Sequence, residues 1–126
     1  MTTHYRTALT AVGPDVADLL DGGILILFAD GAPPELAEVS VLHRVEEGPS
    51  AEAPAVGAAI TIGALRAEIT AIGGYAWVKI AEIGHVVINF DGGTTTNRPG
   101  EISASAVAAP DLLAAIVPGA VLTISA

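Results

Sequence analysis

The chain has 126 residues, fourteen of them acidic against five basic, for a net charge of −9, and it contains no cysteine. Disulfide staples and thiolate chemistry are therefore excluded, and the negative field repels a nucleic-acid backbone, so no nucleic-acid partner is expected. The hydrophobic fraction of 52% is dispersed among glycines and prolines, and no stretch approaches the roughly 18 to 20 apolar residues of a membrane helix; one domain over 1–126, without direct membrane insertion, is the expectation.

The opening "MTTHYRTALT" lacks the basic and apolar regions of a secretory signal, which points to the cytoplasm. Fourteen glycines and eight prolines then divide the chain into short intervals rich in β-branched residues. That punctuation predicts an all-β domain, Greek-key-like or a barrel, with two or three short helices. A strand is predicted over 5–12. "PDVADLLDGG" follows as a helix, with Pro14 in its first turn, Val16, Leu19 and Leu20 on one face, and a stop at Gly22.

Strands are predicted next over 24–29 and 39–45, separated by a short helix in "PPELAE". The Glu/Pro/Ala-rich loop "EEGPSAEAPAVG" leads to strands over 58–62 and 64–72. "YAWVKIAEIG" reads as a helix, with Ala76, Ile80 and Ile83 at helical spacing, Lys79 and Glu82 opposite, and Gly84 in the C-terminal capping place. Strands over 85–90, 100–107 and 120–125 complete the chain. The hexapeptides "GAAITI" (57–62) and "GAVLTI" (119–124) share a pattern. A glycine turn leading into an alternating strand is the simpler explanation, with a duplication as the alternative.

Three histidines are the groups able to work near neutral pH without perturbation. His4, beside two threonines near the N-terminus, reads as a solvated residue. In the strand "VSVLHRV", a period of two puts Val39, Val41, His43 and Val45 on one face and Ser40, Leu42 and Arg44 on the other. Pattern alone favours a packed His43 capping a core face; the competing reading is an exposed neutral imidazole set in apolar docking surface. His85 follows Gly84 at a helix–strand junction, either bonded to a helix carbonyl or serving as a binding residue.

Together the two histidines fall short of a metal site, lacking a third ligand. They suit a phosphoryl pair, one attacking phosphorus while the other donates to the phosphoryl oxygens. No P-loop, dinucleotide fingerprint or nucleophile elbow occurs, so neither a cofactor nor a metal is expected.

The order of the segments adds a resemblance. "F-x-x-G-A-P-x-x-L" (28–36) leading to "V-L-H" (41–43), then "T-A-I-G" (70–73), "I-G-H-V-x-x-x-F-D-G" (83–92) and the closing "P-G-x-x-L" resemble the glucitol/sorbitol-specific IIA component of the bacterial phosphotransferase system over nearly the whole chain. The resemblance implies a phosphocarrier, a phosphotransferase component in which His43 accepts a phosphoryl group from phospho-HPr. It would hand that group to a sugar-specific IIB component, driving hexitol uptake through the IIC channel.

On that reading His85 or backbone amides steady the phosphoryl oxygens, and Val39, Val41, Val45 and Arg44 line the docking surface; homo-oligomerisation is left open. Two departures from the family pattern stand out. Val45 occupies the place where some members carry a further histidine, and the loop from Glu46 to Pro54 differs. The competing function is a non-transporting β-barrel, binding or regulatory, whose histidines are structural or only signal phosphorylation state.

Overall fold

Short alternating strands separated by glycine turns cannot cover both faces of a flat sheet, and in this chain they solve the problem by closing on themselves. The computed structural model describes residues 2–126. It contains β1 (Thr3–Val12), α1 (Val16–Asp21), β2 (Ile24–Ala29), α2 (Pro34–Ala37), β3 (Val41–Glu47), β4 (Ala59–Ile62), β5 (Leu65–Ile72), α3 (Ala76–Ile83), β6 (Val86–Asn89), β7 (Glu101–Ala104), α4 (Ala109–Ala115) and β8 (Val121–Ser125).

The strands form a closed barrel in the order β1-β3-β2-β6-β7-β5-β4-β8. β2 and β3 run parallel, as do β6 and β7, and the remaining neighbours are antiparallel. Closure removes free edges, so every strand is paired on both sides. The inward positions are aliphatic: Leu9, Leu25, Leu27, Val41, Ile60, Ile62, Ile69, Ile88, Ile102, Leu122 and Ile124 are each no more than 2% exposed. Each such side chain contributes about 1.5–3 kcal/mol by leaving water. The interior is thus a packed core and not a lumen.

Each predicted strand overlaps one observed: β1 starts earlier than predicted, at Thr3, β3 is shifted along the chain to Val41–Glu47, β7 stops early, at Ala104, and the other bounds agree or move inward by one residue. β3 begins at Val41, so Val39 and Ser40 belong to the turn before it. The fourth helix, α4, was not predicted. Its signals are Pro110 in the first turn, with Leu112 and Ile116 one turn apart and both buried. In α3 the buried face is Ala76, Trp77 and Ile80, whereas Ile83, expected on that face, is 44% exposed. The bulkier indole takes an inward place, and Ile83, the last helical residue before the Gly84 cap, is left exposed at the helix end.

The barrel is built from two similar halves, β1 to β4 and β5 to β8. Leu9 pairs with His43 and Val12 with Val41, across a bulge between Leu9 and Ala11. Likewise Ile69 pairs with Ala104 and Ile72 with Ile102, across a bulge between Ile69 and Ala71. Gly13 N–H donates to Ser40 and Gly73 N–H to Glu101, each glycine lying where a Cβ would collide with backbone. The halves meet at Ile26↔Val87 and at Thr61↔Thr123, the positions a pseudo-twofold axis would cross. The two hexapeptides lead into β4 and β8, which pair across that axis, so the shared pattern falls at equivalent places of two similar halves, as the duplication alternative would put it. "LTAVG" (9–13) against "ITAIG" (69–73) was the sequence signal that could have revealed it.

Candidate functional site

β3 carries His43 into the barrel wall. Its parallel pairing with β2 sets Ala29 beside His43, and its antiparallel pairing with β1 sets Leu9 there. Inward alternation then buries the imidazole to 1% exposure, on the same face as Val41. The expectation of an exposed imidazole among docking valines is therefore corrected. Val41 is core at 0%, Val39 is half-buried in the preceding turn, and Val45, at 40%, is exposed. Arg44 points outward, as the alternation predicted, and takes no part in the His43 cluster.

Both ring nitrogens of His43 are engaged. Nε2 lies 2.7 Å from the carbonyl oxygen of Gly84, and Nδ1 lies 2.6 Å from the hydroxyl of Thr7, itself fully buried. A carbonyl only accepts, so Nε2 carries the proton and the Thr7 hydroxyl donates to Nδ1. Burial pushes the His43 pKa down, because the imidazolium loses more solvation than the neutral ring. The Gly84 carbonyl and the nearby Asp30 carboxylate oppose that shift without overcoming it. The Thr10 hydroxyl donates to the Asp30 carboxylate, and the Asp30 N–H donates to the His43 carbonyl at 3.0 Å. The result is a neutral imidazole of one tautomer, fixed in orientation.

Gly84 reaches the ring because it caps α3 in the left-handed conformation, at φ +61°. A Cβ there would lie 2.7 Å from the Ala29 Cβ and 3.3 Å from His43 Cε1, so only glycine allows the approach. Backbone amides were expected near the ring; a carbonyl is there instead, since the end of a helix presents C=O groups. Tyr5 packs its ring edge-on to His43 at 6.1 Å.

His85 sits one residue beyond Gly84, half-buried. Its Nδ1–H donates to the Leu27 carbonyl at 3.0 Å, and its ring lies 5.1 Å from that of Phe28. The fold thus brings both histidines to the end of β2, yet His85 bonds to strand backbone and not to His43. His4 is not simply solvated: its Nδ1 bonds to Ser50 Oγ at 2.7 Å, and its ring stands edge-on to Trp77. Among the described residues no three His, Cys, Asp or Glu side chains converge as a metal would require. Thr7 was missed in the sequence, although a threonine between inward Tyr5 and Leu9 is a polar interruption of an apolar face.

Comparison with known proteins places the barrel among solved folds. A solved structure described as the PTS system IIA component from Enterococcus faecalis V583 superposes with a TM-score of 0.76 over 96% of this chain and 99% of that one, at 18% identity. The two share a fold, so the class is that of the eight-stranded closed barrel of this IIA structure; in this chain one histidine, His43, is buried in the barrel wall.

The family of PTS glucitol/sorbitol-specific IIA components matches residues 4–117. Relatives described as the glucitol/sorbitol-specific EIIA component, from Shigella flexneri and from Escherichia coli strain K12, are each 34% identical over 122 residues, covering 97% of this chain and 94% of theirs. This chain belongs to the glucitol/sorbitol-specific IIA family of the phosphotransferase system.

Proposed function

We propose that the chain is a single-domain cytoplasmic phosphocarrier in which His43 takes a phosphoryl group from phospho-HPr and passes it to a IIB component. Uptake and phosphorylation of a hexitol such as glucitol through a IIC channel would follow. The observation that carries this reading is a break in the internal symmetry. Ala104 holds the place in the second half that His43 holds in the first, and it is fully buried. There the Phe90 N–H donates to the Gly23 carbonyl at 2.8 Å, whereas the matching Gly84 carbonyl is taken by the imidazole. A barrel that closes over alanine does not need a histidine for packing, so the imidazole answers to chemistry.

We assign the transfer to Nε2. Nδ1 faces Thr7 in a strand paired on both sides, while Nε2 faces a helix end flanked by the exposed Ile83. A neutral nitrogen lone pair attacks phosphorus, the donor's bond to phosphorus breaks, and its electron pair stays on the donor. With His43 1% exposed, the Gly84 corner must move aside first. Arg44 and Val45 are exposed and Val39 half-exposed; with Ile83 we assign them to the surface the partners meet. The net charge of −9 favours partners with a basic face. His85, beside the corner, is assigned to the phosphoryl oxygens once the helix end shifts.

Burial with both nitrogens satisfied is also what a purely structural histidine would display, and one experiment separates the two. Incubation with phosphoenolpyruvate, enzyme I and HPr should add one acid-labile, base-stable phosphate. His43→Ala should take up none, and His85→Ala should react more slowly. No phosphate on the parent protein, or full uptake by His43→Ala, refutes the assignment.

A further inference from the structure

We propose that Thr7 is the positioning residue of this site: its hydroxyl reverses from donor to acceptor as His43 leaves a resting tautomer, locked by the Gly84 carbonyl, for the reactive one. The inference rests on the phosphocarrier reading and specifies what that reading requires of the ring.

At rest neither nitrogen of His43 can react. Nε2 carries a proton because its partner, 2.7 Å away, is a carbonyl oxygen. Nδ1 has the lone pair but points it at Thr7, in a strand hydrogen-bonded to β3 at Val45 and to β8 at Leu122. Thr7 is 0% exposed and its strand is paired on both sides, so that side of the ring is closed to a partner. Reaction at Nε2 needs the other tautomer, reached when the Gly84 corner lifts and exchange with water removes one proton at Nε2 and adds one at Nδ1. The ring stays neutral overall.

The two partners respond differently to that change. A carbonyl facing a lone pair repels it, so Gly84 holds only the resting form. A hydroxyl is both donor and acceptor, so Thr7 holds either form. The Nε2 lone pair then forms the bond to phosphorus while the donor's bond breaks and its electrons remain on the donor. The ring becomes a phosphoimidazolium, its positive charge shared with Nδ1–H. The bond from Nδ1–H to Thr7 Oγ1 therefore strengthens as the transition state forms, which accelerates the step as well as orienting the ring.

The pseudo-symmetry supplies independent support. The register that places Thr7 opposite Leu122 places Ala67 opposite Ile60 in the other half, and there the histidine position is Ala104. The half without the imidazole also lacks the hydroxyl, so the two side chains occur as a pair.

Two measurements on the full chain test this. In protein labelled with 15N in its imidazoles, long-range proton–nitrogen spectra of resting His43 should show a protonated Nε2 and a bare Nδ1; after phosphorylation Nδ1 should carry the proton. Thr7→Val, nearly isosteric, should lower the rate of phosphoryl acceptance about tenfold or more, the worth of one hydrogen bond to a charged group. Its KM for HPr should not change, and Thr7→Ser should recover most of the rate.

A resting ring protonated at Nδ1, or Thr7→Val reacting at the parent rate, overturns the proposal. Should Thr7→Val fail to fold, the parent spectrum and Thr7→Ser decide alone. A parent protein that takes no phosphate overturns the phosphocarrier reading and the switch with it, and the resting spectrum distinguishes that failure from loss of the Gly84 lock.

Discussion

Gly84→Ala tests whether the α3 corner is as tightly bound to His43 as its geometry implies, and Gly63→Ala is its natural control. Both glycines lie in the left-handed region, at φ +61° and +58°, and a Cβ at Gly63 meets nothing within 4 Å. Alanine at position 63 should therefore cost only the conformational term, about 1–2 kcal/mol. At position 84 the same term applies, but the new Cβ would lie 2.7 Å from the Ala29 Cβ.

Ala29 is fixed by the pairing of β2 with β3, so the helix end must yield, and the Nε2–H of His43 then loses its acceptor. A buried donor left unpaired adds about 1–3 kcal/mol. Urea unfolding should show Gly84→Ala less stable than Gly63→Ala by that increment, and thermal scans should separate the two by about 4–12 °C for a chain of this length. Equal losses at the two positions would show that the corner does not depend on its contact with the imidazole, and the resting lock would have no structural basis.

Two further outcomes follow from buried titratable groups. Because burial lowers the His43 pKa from its ordinary 6.5, the unfolded chain binds more protons than the folded one between that value and the lowered one. Its contribution is complete above about pH 6.5 and is lost as the pH falls through that window. Urea midpoints of His43→Gln, followed across the same range, should lack this share of the acid slope; identical slopes would place His43 in solvent. Tyr5 is 1% exposed, its hydroxyl has no protein partner, and burial raises its pKa from 10.0 to about 12. Its stabilising share is thus complete below pH 10.0 and lost as the pH rises toward about 12. Tyr5→Phe should fold at neutral pH with under about 1 kcal/mol of change and lose that alkaline slope; an unaltered slope would assign it to another group.

What the sequence determined by itself was local. Period-two alternation between glycine turns located all eight strands, because the pleat makes every second side chain face the core whatever the strand's neighbours. Gly84 was legible as a helix cap, and His43 as an inward residue beside Val41, for the same reason. The family followed from the order of short motifs along the chain.

Tertiary structure decided what depends on distant partners. Strand order, the parallel β2–β3 and β6–β7 pairs and the pseudo-twofold arise from closure, which no single segment encodes. So does the state of the imidazole. Thr7, Ala29 and Gly84 come from three separate elements, and only their convergence makes His43 buried, neutral and protonated on Nε2. Alternation could say that the ring points inward; it could not say that a helix end from the other half of the barrel would be waiting there with a carbonyl.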